Sequence, residues 1–78
     1  MHKGKYQIIL TNHAIIRATQ RQIEADIIEQ TISTGKIRKV GKGRVIIEKR
    51  FKNYCIRCVD EIAQGTITIF TVTKSVRR

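Results

Sequence analysis

The sequence predicts an α+β domain of two N-terminal helices packed on a four-stranded antiparallel sheet. Apolar residues recur at helical spacing between residues 12 and 33, then alternate at strand spacing from residue 36 onward. Turn-forming segments at Gly41-Lys42-Gly43, Lys52-Asn53 and Ile62 to Gly65 separate the alternating runs. Fifteen isoleucines and five valines, against one leucine, supply the β-branched side chains that suit a pleated sheet. With 78 residues, no proline and no internal repeat or linker, the chain reads as one domain over 1–78.

Residues 6 to 10 are apolar and expected to be extended. Thr11 is a good N-cap, so a first helix is expected from about 12 to 21, with Ala14, Ile15 and Ala18 facing the core and Ile16 flanking. Ile23, Ile27, Ile28 and Ile32 mark a second helix from about 24 to 33. Its first half holds Glu24, Asp26 and Glu29, where the helix dipole favours carboxylates, and Gly35 is expected as its C′ stop. Four strands follow: Lys36 to Val40, Arg44 to Lys52, Tyr54 to Glu61 and Thr66 to Thr73. In the second, Val45, Ile47, Lys49 and Phe51 share one face, and Arg44, Ile46, Glu48 and Arg50 the other.

Sixteen Lys and Arg against six Asp and Glu leave a net charge of +10. Residues 36 to 57 hold nine bases and one acid (Glu48), whereas residues 24 to 29 hold three acids and no base. That asymmetry points to a polyanion partner, nucleic acid first. No apolar run approaches the roughly 20 residues that span a bilayer, and Tyr6 to Leu10 is too short for a signal peptide. A cytoplasmic protein is expected, with no membrane partner. Cys55 and Cys58 form a lone C-x-x-C inside a strand, where side chains three apart point to opposite faces; they read as strand residues, with no metal site and no cofactor.

His13, Arg17 and Arg21 stand four residues apart and should form a slanting stripe on the first helix. An imidazole beside fixed cations can supply proton transfer and charge stabilisation to metal-free phosphodiester cleavage. Clustered carboxylates, a nucleophile elbow, a P-loop and a G-x-G-x-x-G are all missing from the sequence. If the chain is an enzyme, metal-free ribonuclease chemistry fits best, with the RNA 2′-hydroxyl as the nucleophile. His13 is then the general acid or base, and Arg17 or Arg21 clamps the phosphate. Thr71, Thr73, Tyr54 and Lys74 would complete the site if the last strand lies beside the first helix. Lys39, Lys42, Arg44, Lys49 and Arg50 would track RNA, and Tyr54 and Phe51 could stack on bases or pack in the sheet.

The segment L-T-x-H-A-x-x-R (Leu10 to Arg17), followed by Arg21-Gln22-Ile23, resembles the start of domain-of-unknown-function family 4258. The resemblance continues through Gly35, the basic strands and the closing Ile69-Phe70-Thr71-Val72-Thr73-Lys74, covering roughly residues 6 to 75. That family looks related to RelE-like toxins and the barnase/EndoU/colicin/RelE ribonuclease fold. The resemblance implies a RelE-like, RNA-cleaving toxin neutralised by an acidic antitoxin, with His13, Arg17, Arg21 and Thr71 as site residues. Where the family often has tyrosine before the final lysine, this chain has Thr73.

The expected function is therefore a metal-independent endoribonuclease toxin acting on RNA, ribosome-bound mRNA included. A non-catalytic RNA- or ribosome-binding module would use the same basic sheet; it would show salt-dependent binding without cleavage. A small accessory protein, its basic face binding only an acidic partner, is the third reading.

Overall fold

In the computed structural model, which describes residues 2–76, the chain forms one curled, mixed six-stranded sheet with two short helices. The elements are β1 (His2–Lys3), β2 (Tyr6–Leu10), α1 (Asn12–Gln20), α2 (Ala25–Thr34), β3 (Lys36–Gly41), β4 (Arg44–Arg50), β5 (Tyr54–Ala63) and β6 (Thr66–Val76). The strand order is β1-β2-β6-β5-β4-β3. This corrects the expected four-stranded antiparallel sheet. The meander β3 to β6 is only part of the sheet; β2 adds to it in parallel beside β6, with Ile8 opposite Ile67 and Leu10 opposite Ile69. β1 then pairs antiparallel with β2. The physical reason lies in β2 itself: an apolar extended segment must satisfy its backbone groups somewhere, and the flank of β6 supplies partners.

Both helices form close to their expected limits. Thr11 caps α1: its Oγ1 accepts from the Ala14 amide at 3.1 Å and donates to the Ile69 carbonyl at 2.9 Å, tying the helix start to β6. Ala14 and Ala18 are buried, but Ile15, expected in the core, is 44% exposed. α1 ends in a Schellman motif, with Gln22 N–H bonding to the Thr19 carbonyl and Ile23 N–H to the Ala18 carbonyl. Gln22 occupies the left-handed position at φ +58°, where glycine is usual. Gly35 ends α2 differently from expectation. Its φ is −72°, so it is not a left-handed C′ residue. Glycine is required there because a Cβ would strike the Thr31 carbonyl and lie 2.7 Å from the Glu48 carbonyl, where the helix end presses on β4.

The core is largely isoleucine: Ile8, Ile32, Ile47, Ile56, Ile67 and Ile69 are buried, with Val45 and Val72. Among them lies Asp60, 1% exposed, whose two carboxylate oxygens find no well-formed hydrogen bond among the described residues.

A bulge decides which side chains face the helices. Val59 pairs with Thr71 and Asp60 with Ile69, so Phe70 is the extra residue in β6. Ile67, Ile69, Val72 and Lys74 therefore share the helix-covered face with their partners Ile62, Asp60, Cys58 and Ile56. Thr66, Thr68, Thr71 and Thr73 line the opposite, helix-free face.

Candidate functional site

α1 packs chiefly against β6, and Arg21 fixes its far end: Nη1 donates to the Val72 carbonyl at 2.8 Å. That carbonyl is available because β2 pairs only with Thr66 to Ile69, leaving the adjoining edge of β6 without a strand partner. Arg21 is thus engaged in holding helix to strand. His13 and Arg17 are exposed and lie on one flank of the buried Ala14–Ala18 seam. His13 stands roughly 12 Å along the helix from Arg21, since eight residues rise about 1.5 Å each. The stripe exists, but its members are not equivalent: His13 and Arg17 face water, and Arg21 faces β6.

Thr71 does not join them. The Phe70 bulge turns it and Thr73 to the helix-free face, where Thr73 Oγ1 donates to the Arg57 carbonyl at 3.3 Å. The same bulge brings Lys74 to the helix side, its ammonium 4.7 Å from the centre of the Tyr54 ring. Tyr54 stacks on Phe51 with ring centres 4.9 Å apart and planes 18° apart. The Phe51 amide donates to the Tyr54 carbonyl at 2.7 Å across the Lys52-Asn53 turn, which is why two residues three apart meet face to face. Lys49 approaches the Phe51 ring at 5.7 Å. These four side chains form one aromatic and cationic group at the end of the sheet.

A cleft of about 180 Å³ opens beside this group, between the α1–α2 connection and the ends of β5 and β6. Ile23, Ile27 and Ile56 line it, with Gln22, Glu24 and Lys74 as its polar members and Tyr54 at one side. Gln22 and Glu24 were not expected in a site. Their position between two helices makes them look like cap and connection residues, and only the approach of β5 and β6 gives them a cleft to face.

The other expected RNA-contacting residues divide between the two faces. Arg44 and Arg50 lie on the helix-free face, Lys39 on the helix side at the exposed sheet edge, and Lys42 in the β3–β4 turn. The helix-free face also carries Arg38 and Arg57, joined through Glu48 at 3.7 and 3.3 Å. These two arginines lacked any motif signal; the register that aligns Arg57 with Glu48 reveals them. Lys36, Glu48, Lys49 and Arg50 border a second hollow of about 500 Å³ where α2 meets β4.

Cys55 lies on the helix-free face and Cys58 in the core. Burial, reinforced by the nearby Asp60 charge, pushes the Cys58 thiol up to about 12. Such a thiol is inert near neutral pH. No group of three or more metal-ligating side chains occurs among the described residues, and no helix among them is long and apolar enough to cross a membrane.

A family model described as "Domain of unknown function (DUF4258)" matches residues 10–74. No curated protein and no solved structure matches the chain.

Proposed function

We propose that this chain, which belongs to the DUF4258 family, binds RNA and cleaves it without a metal ion. The observation that carries the reading is the grouping of Lys49, Phe51, Tyr54 and Lys74 on the helix side of a +10 domain, next to the strand that α1 grips through Arg21. Aromatic rings flanked by ammonium groups suit an unpaired polynucleotide, which offers bases and phosphates in alternation.

In this reading His13 and Arg17 are the reacting pair. The RNA 2′-oxygen attacks the adjacent phosphorus, the bond to the 5′-oxygen breaks, and a 2′,3′-cyclic phosphate results. His13 transfers a proton to or from these oxygens, and the Arg17 guanidinium holds the phosphate charge. Arg21 acts through position, keeping α1 against β6. The protein works in the cytoplasm as a RelE-like toxin neutralised by an acidic partner, consistent with the basic excess over residues 36 to 57.

The test is RNA cleavage in EDTA, wild type against His13→Ala, with analysis of the product ends. Wild-type protein should leave 2′,3′-cyclic phosphate ends, and the variant should lose cleavage while keeping its fold, because His13 is exposed. Undiminished cleavage by the variant removes His13 from the mechanism. A second reading, an RNA-binding module without catalysis, is favoured by Arg21 being engaged by Val72 and Thr71 facing away. It predicts salt-dependent RNA retention with no products from either protein.

A further inference from the structure

We infer that the cleft between the α1–α2 connection and the ends of β5 and β6 is a base pocket selective for guanine. This rests on the RNA-binding reading and adds to it a source of sequence preference.

The pocket's form is the first argument. Its volume, about 180 Å³, equals that of about six waters, enough to seat one planar base. Ile23, Ile27 and Ile56 give it apolar walls suited to the faces of a ring. Tyr54 at its side is braced by Phe51, so the wall holds its shape without a ligand.

The polar members decide which base. Glu24 is the N-cap residue of α2, yet its side chain makes no cap hydrogen bond and no ion pair among the described residues. A carboxylate there only accepts hydrogen bonds. Guanine is the one common base whose pairing edge offers two adjacent donors, N1–H and N2–H, which match the two oxygens of a carboxylate. Adenine, cytosine and uracil each place an acceptor next to their single donor position and would set a lone pair against Glu24. The guanine O6 beside N1 needs a donor, and Gln22 and Lys74 supply an amide and an ammonium at the same cleft.

Gln22 reaches the cleft from an uncommon backbone conformation. It holds a left-handed backbone at φ +58°, a position that glycine fills at no steric cost. Gln64 takes a similar conformation in the β5–β6 turn, so the backbone alone marks no site; Gln22 counts because it lines the cleft.

The experiment follows backbone amide signals of the full chain during titration with GMP, AMP, CMP and UMP, for wild type and Glu24→Gln. A single-stranded RNA is titrated in the same series. GMP should move the signals of residues 22 to 24, Tyr54 and Lys74 and bind about tenfold tighter than the others, within the range of one bidentate base contact. Glu24→Gln should erase that preference, the four nucleotides then binding alike. Equal binding of the four nucleotides, or a preference that survives Glu24→Gln, overturns the guanine pocket alone. Failure of wild-type protein to bind any RNA overturns both it and the RNA-binding reading.

Discussion

Replacing Asp60 by asparagine should remove a steep pH dependence from the stability of this domain. Asp60 is 1% exposed, and among the described residues neither oxygen has a partner with good hydrogen-bond geometry, the Ile47 backbone offering only a weak approach. Burial pushes its carboxyl up to about 8, against a smaller opposing pull from the backbone of Ile47. In the unfolded chain the same group titrates at an ordinary 3.8. Between these values the folded protein keeps a proton that the unfolded chain has released, so stability falls as pH rises. The favourable contribution is complete below the unfolded value and is lost progressively up to the folded one. Each pH unit inside the window is worth about 1.4 kcal/mol, or about 3 kcal/mol from pH 5 to pH 7. A domain of this size has roughly 4–12 kcal/mol in total, so the effect is large. Urea unfolding followed by circular dichroism at pH 5, 6 and 7 reads it directly, at constant ionic strength. The stability difference between Asp60→Asn and wild type should grow with pH by about 3 kcal/mol over that range. Parallel pH profiles would show that Asp60 ionises alike in both states and would refute the reasoning.

Two further stability predictions follow from backbone geometry. Gln22→Gly relieves the left-handed strain at the end of α1 and should raise stability by up to about 1 kcal/mol, seen as a melting temperature several degrees higher; a lower one would contradict the assignment. Gly35→Ala forces a methyl against the Thr31 and Glu48 carbonyls and should cost about 1–3 kcal/mol, measured by the same urea titration. An alanine variant as stable as wild type would mean the helix end can lift from β4.

The local signals in the chain were legible and the distant ones were not. Thr11 announces the start of α1 through its side chain, and the alternation from Arg44 to Arg50 places Val45 and Ile47 inside correctly. Pairing of β2 with β6 joins residues nearly sixty positions apart, and a five-residue strand carries no mark of its partner. The Phe70 bulge was equally hidden. Strict alternation from Ile67 would put Thr71 and Thr73 beside the helix, and one extra residue reverses that, leaving Lys74 there instead. In the candidate site, the α1 stripe could be read from spacing alone. Arg21's engagement with Val72 and the cleft at Gln22 and Glu24 required the tertiary arrangement.

The parallel seating of β2 against Thr66 to Ile69 also has a consequence for how the domain comes into being. On the ribosome, β2 and both helices emerge before the strand that completes them, and α1 has β6 as its main support. Until Thr66 to Ile69 is free of the exit tunnel, β2 lacks its neighbour and the α1 cap has no Ile69 carbonyl to hold. The cleft lined by Gln22, Glu24 and Lys74 therefore gains its β6 side last. A chain lacking β6 would leave α1 without its main support and the Thr11 hydroxyl without the Ile69 carbonyl.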